Sequence, residues 1–121
     1  MHSTMADWED HCPFAQGLRM FRQVNGEASC KVTDSDVREA LDGAGMMNAP
    51  IPVLKALLAL TSVDSQRRVL KEHTASEVLQ IAGAADFLGA ESLTDVCAAF
   101  YATTLLPNEL ASELRHFDRN N

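Results

Sequence analysis

Basic residues are scarce in this chain. Its 121 residues include 10 Lys and Arg against 17 Asp and Glu, a formal net charge of −7. A nucleic-acid-binding surface needs clustered Lys and Arg to displace counterions from phosphate. The densest basic cluster here, Arg67-Arg68 with Lys71, is short and interrupted, and it reads as a solvated helix end. Cysteine is equally sparse. Cys12, Cys30 and Cys97 are odd in number and widely spaced, which fits free thiols of the cytosol or nucleus better than a disulfide framework. No run approaches the ~20 apolar residues of a membrane span. The opening MHSTMADWEDHCPF lacks the basic-then-apolar order of a secretory signal.

Motifs for chemistry are missing as well. His2, His11, His73 and His116 are scattered, and none pairs with a second His or Cys at metal-ligand spacing. The adjacent His11-Cys12 is poor geometry for one tetrahedral ion. There is no G-x-S-x-G, no phosphate-cradling glycine loop and no H-E-x-x-H. One enzyme reading is a thiol nucleophile at Cys97, which falls on a core-facing helix side where thiols are inert. The expectation is a protein without catalytic residues, metal or cofactor.

What the chain does have is apolar content of 46% with 22% charged residues, enough for one globular domain with a real core. Its most consistent local signal runs from Glu77 to Leu105. Val78, Ile81, Ala82, Ala85 and Leu88 share one face of a helix. Thr74-Ala75-Ser76-Glu77 has the form of a capping box, and Gly89 stands where a left-handed residue ends a helix. A second helix restarts at Ser92-Leu93-Thr94-Asp95, with Leu93, Val96, Cys97, Phe100 and Thr104 inward. Leu79, Leu88, Val96 and Phe100 are expected in the core.

Upstream, the sequence reads as a small sheet. Residues 18–24, then Asn25-Gly26, then residues 27–32 carry a hairpin signal, because Asn-Gly favours the type I′ turn between strands. Ala28, Cys30 and Val32 alternate with polar neighbours, so one strand face is apolar. Thr33-Asp34-Ser35-Asp36 caps a short helix over 37–42 that ends at Gly43. Pro50-Ile51-Pro52-Val53 supplies at most a short edge strand, followed by a buried helix over 53–60. Residues 61–73 read as a polar link with a helical piece near Val69-Leu70. A last helix carries Leu110, Leu114 and Phe117 on one face. The fold class expected is therefore α+β: a small N-terminal sheet with a hairpin, then a mostly helical C-terminal half. The boundaries read as a tail over 1–17, one domain over 18–117 and a tail over 118–121. Trp8 and Phe14 either belong to the loose tail or dock.

The segment Ala84-Ala85-Asp86-Phe87-Leu88-Gly89 through Leu93-Thr94-Asp95-Val96 resembles the BTB/POZ superfold. It is most similar to the S-phase kinase-associated adaptors of SCF ubiquitin ligases, with elongin C next. That family carries Ala-Ala-Asn-(Tyr/Phe)-Leu-Asp followed by a Leu-Leu-Asp-Val-like helix start. Asn25-Gly26-Glu27 falls at its Asp-Gly-Glu turn, and Pro50-Ile51-Pro52 at its Pro-Leu-Pro strand. The resemblance implies a non-catalytic adaptor joining two proteins of a ubiquitin ligase. A cullin-like scaffold would contact Asp86 and Phe87. An F-box-like receptor would pack on Tyr101, Leu105, Leu106, Leu110, Leu114 and Phe117. Two alternatives stand beside it. Leu110, Leu114 and Phe117 could close the domain's own core, or the chain could be a BTB-like module that homodimerises or oligomerises without a cullin.

Overall fold

The computed structural model describes residues 7–120, and side chains as far as Arg115. Among the described residues it is helical throughout, with no strand. A 3-10 turn at Trp8–His11 leads into α1 (Pro13–Val24), α2 (Asp34–Gly43), α3 (Ile51–Ala59) and α4 (Val63–Leu70). Then come α5 (Ala75–Phe87), α6 (Glu91–Phe100), a π-helical turn (Tyr101–Leu105) and α7 (Leu106–Asn120).

The core gathers on α3, α5 and α6. In α3, Ile51, Leu54, Leu57 and Leu58 are buried, and the helix lies against the 3-10 turn, α2 and α5. Each such side chain removed from water is worth about 1.5–3 kcal/mol. α5 and α6 form an antiparallel pair that buries Val78, Ile81, Ala84, Ala85 and Leu88 against Leu93, Cys97 and Phe100. α4 also packs against α6. Ala84 and Ala85 at the seam let the two backbones approach closely.

Local chemistry explains the helix ends. Thr74 accepts from the Glu77 amide while the Glu77 carboxylate accepts from the Thr74 amide, the expected capping box. Thr33 and Asp36 build a second box at the start of α2. Gly89, with φ +81°, closes α5 in the left-handed conformation.

The expected α+β class is corrected: residues 18–32 form no hairpin. Residues 18–24 are the second half of α1, and Asn25-Gly26 ends that helix, with Gly26 at φ +69°. Asn-Gly suits a left-handed helix terminus as well as a type I′ turn, because both need positive φ. Residues 27–32 run extended without a ladder. The Val32 amide donates instead to the carboxylate of Glu9, a nearly buried acid that also pairs with Arg19. The edge strand at 50–53 is corrected too. Pro50 is the N-cap of α3 and Pro52 lies in its first turn, where a missing amide costs nothing.

Residues 61–73 are more than a link, since they contain α4. Its inward position Gln66 is polar, and Nε2 donates to the carbonyls of Leu57 and Leu60. Within residues 1–17, Cys12 and Ala15 are fully buried, and Trp8 and Phe14 pack against the core. Residues 1–6 of the expected tail lie outside the described residues. Positions 118–120 continue α7, and Asn121 lies outside the described residues.

Candidate interaction surfaces

α7 grows out of α6 as one helical rod. Pro107 has no amide to donate to the carbonyl four residues back, and its ring would crowd that carbonyl. The backbone widens just before it, and the Leu106 amide bonds the Tyr101 carbonyl five residues back. Thr103 adds a hydroxyl bond to the Ala99 carbonyl at 2.7 Å, an arrangement that bends helices. Across this turn the Tyr101 hydroxyl donates to Glu109 at 3.3 Å. Partial desolvation, with the Glu109 carboxylate beside it, raises the pKa of Tyr101.

Beyond the turn the rod leaves the globule. Every residue from Pro107 to Arg115 is exposed. Leu110 and Leu114, four apart on one face, are 49% and 64% exposed. Tyr101, Leu105 and Leu106, at the root of the helix, are half-buried. The side chain of Phe117 lies outside the described residues. Within these limits the receptor-like set forms one strip along the π turn and α7, and its outer part does not close the domain's own core.

The cullin-like pair sits elsewhere. Asp86 and Phe87 are both exposed at the C-terminal end of α5, beside the Gly89 turn. Leu79 joins them on the same helix, at 50% exposure against 45% for Phe87. Its expected place in the core is corrected: Val78 takes the inward position, and Leu79, next along the helix, faces out. Leu88 and Phe100 are buried as expected, and Val96 is half-buried. Gly83 lies between Leu79 and Phe87, and a Cβ there would meet nothing within 4 Å. The α5 face is thus a shallow apolar strip with an acidic end. The π turn at the root of α7 packs against α5, while the 15 residues of α6 and that turn, about 20 Å of helix, run from the Gly89 reversal beside Phe87 to the start of α7.

A third apolar strip was not anticipated. Met20, Phe21 and Val24 on α1 are exposed, Val24 by 86%, and Gly17 completes the three-and-four spacing. The signal was present in the sequence, but a strand reading of residues 18–24 sends these side chains to alternate faces.

Two of the three thiols are withdrawn from solvent. Burial pushes the Cys97 thiol up to about 11, and Cys12 is raised for the same reason. Both are fully buried. Burial of this kind is the setting of an inert core thiol rather than of an activated nucleophile. His73 is tied to Glu77 at 3.0 Å, and this contact with the capping bonds of Thr74 holds the Glu77 carboxyl below its usual range. Among the described residues no three His, Cys, Asp or Glu side chains come together as metal ligands would. No helix is long and apolar enough to cross a membrane, among the residues described.

No family model matches the chain, and neither a curated protein nor a solved structure matches it.

Proposed function

We propose that this chain is a non-catalytic adaptor that holds two protein partners at once, one on α5 and one on α7. The observation that carries the reading is the pair of separated apolar strips, Leu79 with Phe87 and Leu110 with Leu114, left open on a well-packed core. Apolar side chains at helical spacing and open to water favour association with a helical or grooved partner. The resemblance at residues 84–96 supplies the partner classes: a cullin-like scaffold at Asp86 and Phe87, and an F-box-like receptor along Tyr101, Leu105, Leu106, Leu110, Leu114 and Phe117. It rests on α5 and α6 alone, since the hairpin and edge strand that also suggested it are absent. Three free thiols, two of them buried, go with the cytosol or nucleus of such a complex.

The test places a photo-crosslinking amino acid at Phe87 or at Leu114 in cells. An adaptor yields two different non-self adducts. The partner captured at Phe87 then co-purifies with the partner captured at Leu114, and Leu114→Asp breaks only that second link. Self-adducts alone at both positions would replace the adaptor by a homo-oligomeric scaffold. Adducts at neither position would end both readings.

A further inference from the structure

A groove of about 710 Å³ opens between the 3-10 turn, the start of α1, the α3–α4 connection with the first half of α4, and the Gly89 turn with the first half of α6. Its floor is apolar: Leu58 and Leu93 are buried, and Leu60 and Val96 are half-buried. Val63 stands in it more than half exposed, an apolar side chain that the fold leaves uncovered. The rim is acidic. Asp10, Glu91 and Asp95 line it, with His11 the one imidazole beside them, and the lining contains no Lys or Arg. None of these three carboxylates takes part in an ion pair among the described residues. Glu9, Asp34, Asp36, Asp42 and Glu77, by contrast, each have a cationic or His partner.

The size suits a few side chains of a peptide rather than a flat contact. Apolar floor and negative rim together ask for an occupant with apolar side chains flanked by Lys or Arg. A competing attraction comes from the N-terminus of α6, whose N-cap Ala90 supplies no side-chain acceptor. That terminus carries roughly half a positive charge, whereas Asp10, Glu91 and Asp95 carry three full negative charges. Glu91 already occupies the first turn of the helix. The field at the mouth of the groove therefore favours cations.

We propose that this groove is a docking site for a basic, leucine-rich segment of a partner protein. Leucines would seat on Leu60, Val63 and Val96, and Lys or Arg would meet Asp10, Glu91 and Asp95. The site goes beyond the adaptor reading and uses none of the residues assigned to it.

The probe is a short fluorescein-labelled peptide of Leu and Lys only, titrated against the full chain beside its Glu-for-Lys counterpart. The Lys peptide should bind and the Glu peptide should not, with weakening as salt rises. Asp10→Asn/Glu91→Gln/Asp95→Asn should weaken binding by about tenfold or more. Glu27→Gln/Glu39→Gln/Glu72→Gln removes as much charge elsewhere and should leave binding intact. A second variant, Val63→Lys, puts a cation in the groove at an exposed position and should also abolish binding. Methyl NMR shifts should fall on Leu58, Val63, Leu93 and Val96. Equal loss in the two triple variants would reduce the effect to general attraction by an acidic protein. Shifts confined to Leu110 and Leu114, binding of the Glu peptide, or no binding at all would each overturn the proposal.

Discussion

Gly89 and Pro13 touch across the molecule: a Cβ built on Gly89 would lie 3.1 Å from the Pro13 Cβ. The α5–α6 turn and the start of α1 are thus fitted backbone against ring, and the Phe14 amide seals the joint by donating to the Leu88 carbonyl. Gly89→Ala meets two penalties. Its φ of +81° is left-handed, which costs a residue with a Cβ about 1–2 kcal/mol, and the new methyl presses on Pro13. The urea midpoint of Gly89→Ala should fall accordingly. Adding Pro13→Ala should recover the contact part and leave the conformational part. Full recovery, or no loss at all, would refute the close fit.

The Arg22 guanidinium donates two bonds to Asp36, at 2.6 and 3.0 Å. This contact, aided by the Thr33 amide, lowers the Asp36 carboxyl from 3.8 to about 2. A depressed carboxyl binds fewer protons in the folded state than in the unfolded chain. Its stabilisation is therefore complete above pH 3.8 and is lost as pH falls toward about 2. Arg22→Leu should flatten the fall of the urea midpoint across that window. A variant whose acid limb overlays the wild type would contradict the assignment.

Glu9 holds the extended residues 27–32 by their end, accepting the Val32 amide at 3.2 Å. Glu9→Ala leaves that amide unsatisfied in the interior and strands Arg19, a loss on the order of 1–3 kcal/mol. Glu9→Gln keeps an acceptor for the amide and should cost less. Hydrogen exchange reads the result directly: the Val32 amide should lose protection in Glu9→Ala before the amides of α5 and α6 do.

Leu114 and Leu57 are the same residue in opposite circumstances, 64% and 0% exposed. Leu57→Ala should cost about 2–5 kcal/mol by opening a cavity. Leu110→Asp and Leu114→Asp should each change stability by no more than about 0.5 kcal/mol. Thermal melts of the three variants settle it. Unfolding of either Asp variant would mean that the α7 strip is covered in solution.

The legibility of this fold in its sequence follows from where the information sits. Residues 74–100 were readable because their signals are local: a Thr-x-x-Glu box, inward residues at helical spacing, and a glycine at the reversal. α1 was not, although Phe14, Leu18, Phe21 and Val24 stand at helical spacing opposite Gln16, Arg19 and Gln23. The Asn25-Gly26 pair outweighs that spacing by reading as a hairpin turn, where it is a helix end. α4 hid for a different reason, since Gln66 fills a core position and satisfies itself on Leu57 and Leu60. Of the candidate surfaces, Phe87 and Leu114 were found through a motif and a periodicity. The acidic groove could not be, for its walls come from three separate stretches of chain.

The π turn also sets a phase. One extra residue within a hydrogen-bonded turn shifts the helical register by about 100°. Continued through that shift, the inward side of Leu93, Cys97 and Phe100 passes along Asn108 and Ser112, while Leu106, Leu110 and Leu114 emerge on roughly the opposite side of the rod. Deleting a single residue from the turn would leave both helices intact and swing the leucines by about a quarter-turn. The rod works as a key cut on two sides, and its length in residues, more than its composition, decides which lock the outer edge meets.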